Sequence, residues 1–482
     1  MLVQTPCAAP ATHLRFEVTG LVYACCRSTL PLGNIRTETI AQIWDGVRRH
    51  QLGAAVAAGD FSLGCQSCET EVRIEGREGS FLATFDAWGS PRPDDAAGRW
   101  PRRFELNLSN KCNLQCVQCD GDSSSAIRIH REGRPPLPAV YGDSFFDDLA
   151  EFVPHLDELM FGGGEPFLTP ECFRAWDVVA AADPTTPCTI VTNATQWNAR
   201  VEGVLDALAV TPVISLDAIR PATYEAIRVG ADYEAVMANT ARLARYAHDA
   251  GRQAYVNVCL MPQNHAELGE LLLWADGHHL AANVLVVREP AHCSLARSSP
   301  AELRAALALL ESQDGELRPQ LSLNLAAWDA ELARLRHWVG ALEPQADPAG
   351  SRAPSHTIMR FPCAGAGPTS DEDARAELAA GSADGVVHSI TVDDTDHISG
   401  CGPSLTEQRH RLVGQPVSAL ETVFGEMLGG PMIDYRVERA SDDQLDAVIT
   451  FPHGVARTSA VALRGADGWA SEVSFLVALQ PA

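Results

Sequence analysis

The 482-residue sequence predicts an α/β fold, a partial barrel of parallel β-α units with small cysteine-rich α+β segments before and after it. Three observations carry this. Short apolar stretches near residues 104–108, 156–161, 188–193, 212–217 and 254–261 alternate with segments of helical period at 173–182, 202–209, 233–250 and 266–278, the pattern of parallel strands joined by crossover helices. A loop bearing three cysteines follows the first strand, and a glycine-rich turn follows the second. In such barrels the loops at the C-terminal ends of the strands build the active site, and the motifs of the core fall there.

In the first strand, 104–108, the apolar residues alternate, so Cys112, Cys116 and Cys119 sit on the loop that leaves its C-terminal end. Three thiolates on one short loop can grip three irons of a [4Fe–4S] cube, leaving the fourth iron open to a non-protein ligand. A zinc site or three core cysteines is the alternative, although structural zinc takes four ligands and no fourth cysteine is near. Residues 156–168 read as a buried strand running into Gly162, Gly163 and Gly164, where backbone free of side chains lets a ligand approach closely.

The C-x3-C-x2-C loop resembles the cluster motif of the radical S-adenosylmethionine (SAM) enzymes. The resemblance implies a partial (β/α)6 barrel of radical SAM type whose open iron holds the amino and carboxylate groups of SAM. It also implies that Gly163, Gly164, Glu165 and Pro166 receive the SAM amino group, with an ionised Glu165 pairing with the ammonium. Asn193, ending the strand 188–193, and Ser215, in the Ser-Leu-Asp run of 212–217, would lie near the ribose. Arg228 would meet the carboxylate, and Asn264, after the strand 254–261 that resembles the sixth-strand region, would touch the cofactor.

A second constellation precedes the barrel: Cys7, Gly20-x4-Cys25 and Cys65-x2-Cys68. With Gly33, Ile35, Ile40, Trp44, Glu71, Gly76 and Ser80, it resembles the SPASM and shorter twitch domains of radical SAM enzymes. That implies one auxiliary iron–sulfur cluster, although four thiolates suit a tetrahedral zinc ribbon equally well. Cys26 is a substitute ligand, a redox partner or a buried small hydrophobe. A fainter copy follows the barrel, with Cys363, Cys401 and the stretch 413–424 but no C-x2-C, interrupted by a loop rich in Ala, Gly and Asp at 365–384. Alternating runs at 447–451 and 474–478 predict a small antiparallel β element. The expected organisation is an auxiliary domain at 1–80, a linker at 81–103, the core at 104–295, a helical connector at 296–355, the degenerate repeat at 356–430 and the β element at 431–482.

A formal net charge of −25 disfavours broad contact with nucleic acid or anionic membrane, since both require a positive patch. Lys111, beside the first loop cysteine, is the only lysine. The N-terminus has no basic segment followed by an apolar run, and no stretch of about twenty apolar residues occurs, so a cytoplasmic location is expected. Fourteen cysteines in that setting point to metal or redox use over disulfides.

The expected chemistry starts from a reductant such as a flavodoxin or ferredoxin. One electron enters bound SAM, its C–S bond breaks, and the 5′-deoxyadenosyl radical takes hydrogen from an unactivated C–H bond of the substrate. Cofactor chemistry of this kind asks the protein for placement and exclusion of water. Because many SPASM and twitch relatives modify ribosomally made peptides, a peptide is the first expectation for substrate and a sugar or other small metabolite the second. A non-catalytic electron-transfer or redox-sensing protein is the reading of another class; the glycine turn with Asn193, Ser215 and Arg228 speaks against it, because an electron carrier needs no SAM pocket. Cys259 and Cys293 are candidate hydrogen donors or packing residues.

Overall fold

The computed structural model describes residues 7–89 and 98–341, and, in a second unit, strands between residues 357 and 481. Six parallel strands follow one another in sequence and in space: β4 (Arg103–Leu106), β5 (Glu158–Phe161), β6 (Cys188–Thr192), β7 (Val210–Ser215), β8 (Ala254–Leu260) and β9 (Leu280–Val286), where β1 to β3 are described below. Each pairs with the next in parallel register, Phe104 opposite Leu159 and Ile190 opposite Pro212, for example. Alternation decides the faces. Phe104, Leu106, Leu159, Phe161, Cys188 and Ile190 are fully buried, in one core with Phe145, Phe152 and Trp176 of the crossover helices. Arg103, Glu105, Glu158 and Thr189 occupy the other face and pair along it: Arg103 with Glu158 at 2.8 Å, and Thr189 with Glu158 at 2.5 Å.

Helix ends are set by local chemistry. Asn198 accepts from the amides of Arg200 and Val201, Asp232 from that of Ala235, and Ser299 forms a capping box with Glu302. The strand at 254–260 is the fifth of the parallel set, not the sixth as expected. The sixth, β9, was not anticipated because its run Leu280–Val286 lacks alternation around Asn283.

The auxiliary segment continues this sheet. β1 (His13–Phe16) lies parallel to β4, with Leu14 opposite Phe104, and antiparallel to β2 (Leu21–Tyr23), which pairs with β3 (Gly33–Asn34). The result is a mixed nine-stranded sheet in the order β3-β2-β1-β4-β5-β6-β7-β8-β9, open at both ends and not a closed barrel. Leu14 and Phe16 are fully buried, and Phe16 packs edge-on against Phe104 and Phe145, so the auxiliary segment shares the core of the parallel strands. After the auxiliary segment, Phe81–Trp88 forms a 3-10 helix that buries Leu82 and Phe85. The connector consists of two helices, Pro300–Leu317 and Leu325–Ala341, with Trp328 fully buried.

In the second unit, Ala346–Ala482, six antiparallel strands form one sheet in the order β11-β10-β15-β14-β13-β12: β10 (Thr357–Phe361), β11 (Thr391–Val392), β12 (Asp434–Ala440), β13 (Gln444–Phe451), β14 (Gly454–Arg464) and β15 (Ala470–Pro481). The runs 447–451 and 474–478 fall within β13 and β15. Cys363, Cys401, the stretch 413–424 and the loop 365–384 lie outside the described residues. No helix of the described residues is long and apolar enough to cross a membrane.

Candidate functional site

The loop after β4 is pinned on two sides before any cofactor is considered. On one side its backbone pairs with the segment after the helix Pro221–Ile227: Gln115 N–H donates to the Val229 carbonyl and Val117 N–H to that of Ile227, both at 2.9 Å. On the other, Ser125 Oγ joins the amide and carbonyl of Cys112, and Ser124 Oγ donates to the Leu114 carbonyl at 2.6 Å. These contacts hold Cys112, Cys116 and Cys119 in a fixed loop.

The thiols sit in an environment that favours thiolate at one of them. Cys116 is drawn down to about 7, first by a hydrogen bond from Cys119 and then, against its own burial, by the Arg228 guanidinium. Cys119 is pushed up by that same shared bond and by burial, and Cys112 by burial. Thiolate is the form that ligates metal.

The glycine turn docks against this loop. Gly164 N–H donates to the Ser109 carbonyl at 2.9 Å and Glu165 N–H to that of Lys111 at 2.7 Å. A Cβ at Gly164 would stand 2.4 Å from the Lys111 carbonyl oxygen, and one at Gly163, whose φ is +93°, 2.7 Å from that of Ser109. The expectation was glycines that admit a ligand; what lies against Gly163 and Gly164 here is the backbone of the cysteine loop. The Glu165 carboxylate, fully buried, accepts from Thr192 Oγ1 and Asn193 N–H, both at 2.7 Å, and from Phe167 N–H at 3.1 Å. It thereby ties the turn to the end of β6, and burial, opposed by those bonds, pushes its carboxyl up to about 7. Pro166 starts the short 3-10 helix that follows.

Asn193 bridges turn and loop. Its backbone amide holds Glu165, and its Nδ2 donates to Asn113 Oδ1 at 3.1 Å and approaches Cys112 Sγ at 3.8 Å. Ser215 ends β7 on the face opposite the helices, in register with Asn257. Arg228 is buried and donates from Nε to Asp217 Oδ2 at 2.7 Å. Asn264 departs from expectation: its Nδ2 donates to the carbonyls of Asp217 and Cys259, and its Oδ1 accepts from Met261 N–H. An amide with both donors and one acceptor lone pair engaged in the chain shapes the loop after β8.

Sequence reasoning missed the residue at the centre of this network. Asp217, 1 % exposed, accepts from Arg228, from Gln118 Nε2 at 2.9 Å and from the Cys259 amide at 2.8 Å. Gln118 stands between two loop cysteines, so one carboxylate joins the cysteine loop, the end of β7 and β8. The available signal was its place two residues beyond Ser215 on the same strand face. Cys259 and the buried Cys293 pack in a small cluster with Ile227, Met261, Val287 and Val117. Around the loop, Asn107 Nδ2, Gln118 Oε1 and Tyr224 Oη are buried without a partner. Convergent thiols, a buried guanidinium and unpartnered polar atoms fit an anionic, polar group such as an iron–sulfur cluster with SAM.

In the auxiliary segment, Cys7, Cys25, Cys65 and Cys68 line one cavity with Arg27 and Ser28. Burial, and then the mutual repulsion of the other thiols, pushes Cys65 up to about 12; burial likewise takes Cys7 to about 12 and raises Cys25 and Cys68. A bound cation reverses that penalty by stabilising the thiolates. Among the described residues no group of three His, Cys, Asp or Glu side chains stands ready for a single metal ion. Cys26 is exposed, and every described cysteine is free. Arg27 stacks over Phe81 at 4.3 Å and pairs with Glu71, which also pairs with Arg288 just past β9.

A family model described as the Radical SAM superfamily matches residues 106–275, and one described as SPASM, an iron–sulfur cluster-binding domain, matches residues 7–69. A GTP 3′,8-cyclase of Streptomyces coelicolor is 28 % identical over 187 residues, 38 % of this chain and 52 % of that protein. A GTP 3′,8-cyclase of Rhodococcus opacus is 27 % identical over 194 residues, with the same two shares. The chain thus spans about half the length of these curated relatives. The crystal structure of Streptococcus suis SuiB bound to precursor peptide SuiA aligns at 16 % identity, covering 56 % of this chain and 65 % of that one, with a TM-score of 0.34.

Proposed function

We propose that this chain, which carries a Radical SAM superfamily domain preceded by an iron–sulfur cluster-binding SPASM domain, modifies a small metabolite by hydrogen abstraction from an unactivated C–H bond. The single observation that carries the chemistry is the three-cysteine loop docked by backbone hydrogen bonds on the glycine turn, beside the buried Arg228 guanidinium. A cluster held by Cys112, Cys116 and Cys119, with SAM bound, supplies one-electron cleavage of SAM to methionine and a 5′-deoxyadenosyl radical. The chain's residues do the rest. Arg228, fixed by Asp217, offsets the negative charge of the thiolates; Glu165, Asn193 and the glycine turn hold the loop in place; the packed loops keep water away from the site.

The names of the curated relatives matched over the core, GTP 3′,8-cyclases, favour a small molecule over the peptide expected first. The auxiliary set Cys7, Cys25, Cys65 and Cys68 fits a second iron–sulfur cluster, in keeping with the SPASM match. Anaerobically reconstituted protein with dithionite and SAM should release 5′-deoxyadenosine, and Cys116→Ala should abolish it; persistent release by the variant would remove the assignment. A metabolite extract below about 1 kDa, depleted of peptides by protease and a reversed-phase step, should accelerate that release. Acceleration by the peptide fraction alone would return the peptide reading to first place.

A further inference from the structure

We infer that Asn107 is a cofactor-binding residue whose side-chain amide donates a hydrogen bond to an acceptor atom of bound SAM. The inference rests on the radical SAM reading and adds a residue to which neither the cysteine motif nor the glycine turn points. Asn107 directly follows β4. Period-two alternation puts it on the face of Arg103 and Glu105, opposite the helices that cover Phe104 and Leu106. Its main chain is fixed, since its N–H donates to the Phe16 carbonyl at 2.9 Å. The side chain is 5 % exposed, and its Nδ2 has no partner.

Its surroundings indicate which ligand would supply one. A Cβ at Gly162 would stand 2.9 Å from Asn107 Oδ1, and one at Gly163 3.3 Å from its Cα. The amide therefore lies directly against the turn that docks on the cysteine loop. A donor buried without an acceptor has lost its water and gained nothing, a state retained in a folded protein when a ligand completes it. Of the side chains with an unpartnered buried atom around the loop, Asn107 is the one whose atoms, Oδ1 and Cβ, stand against the glycines of the turn, and its free group is a donor.

The test is calorimetric titration of SAM into anaerobically reconstituted wild-type protein, Asn107→Ala and Asn107→Leu, with iron quantified in each and thermal unfolding recorded on the cluster-free forms. The expected result is unchanged iron content, SAM affinity lower by about tenfold in both variants, and a cluster-free Asn107→Leu protein at least as stable as wild type because the orphaned donor is gone. Unchanged SAM affinity at full iron content overturns the inference alone. So does a fall in cluster-free stability of both variants that tracks the loss of affinity, since that marks a structural role. Wild-type protein that takes up iron at neither site and binds no SAM overturns the reading and the inference together.

Discussion

At Glu165, burial and position pull against each other. The carboxyl is fully buried, and desolvation raises it from an ordinary 4.5 to about 7 although three donors hold it. Between those values the folded chain keeps a proton that the unfolded chain releases, so stability falls as pH rises from about 4.5 to about 7 and then levels, by on the order of 3 kcal/mol. Urea unfolding of cluster-free protein at pH 5 and pH 8 should show that fall in wild type, and Glu165→Gln should flatten it. An equal fall in both proteins would place the titration elsewhere. The Asp217–Arg228 pair makes a second case: both groups are buried, and Asp217→Ala would leave the guanidinium without a counter-charge. Such a broken pair costs about 3–5 kcal/mol, read as a lower urea midpoint at constant slope. A loss of stability under about 0.5 kcal/mol, within the range of ordinary surface substitutions, would show that solvent already screens the pair.

The elements that make the site are a loop and a turn whose backbones share hydrogen bonds, so the glycines act as spacers between two main chains. Gly164→Ala would press a methyl to 2.4 Å from the Lys111 carbonyl oxygen, and backbone, unlike a flexible side chain, cannot swing aside. The loop must retreat, at about 1–3 kcal/mol, and its cysteines move with it. Reconstituted Gly164→Ala should therefore hold less iron at the Cys112, Cys116 and Cys119 site and unfold earlier. Wild-type iron content and stability would show that the turn has room to slide.

At the scale of the molecule, the auxiliary segment and the parallel core are one sheet, and Glu71 ties the two ends of its first unit by pairing with Arg27 after β2 and Arg288 after β9. The two cysteine sets nevertheless draw on different elements: Cys112, Cys116 and Cys119 on one loop, Cys7, Cys25, Cys65 and Cys68 around one cavity. Replacing the first three by alanine should leave one cluster bound at the second set, measured as iron, sulfide and an electron paramagnetic resonance signal after anaerobic purification. One equivalent of zinc without iron would instead support the ribbon, since four thiolates serve either.

Features of short spacing were legible in the chain alone: the cysteine loop, the glycine turn, four of the five parallel strands after β4 and the helices between them, because local alternation and turn chemistry act over a few residues. So was the C-x12-G-x4-C and C-x2-C set. Which group partners which emerged with the folded chain. Asn264 reads as a cofactor contact but spends its amide on the Asp217 and Cys259 carbonyls. Asp217 reads as the end of a strand but joins Gln118, 99 residues away, to Arg228. β1 reads as part of a separate module but completes the core sheet beside β4. Long-range pairing depends on burial and on the hydrogen bonds that buried groups must find, and those are properties of the assembled chain, since Asn264 and Asp217 stand 47 residues apart and Asp217 and Gln118 99.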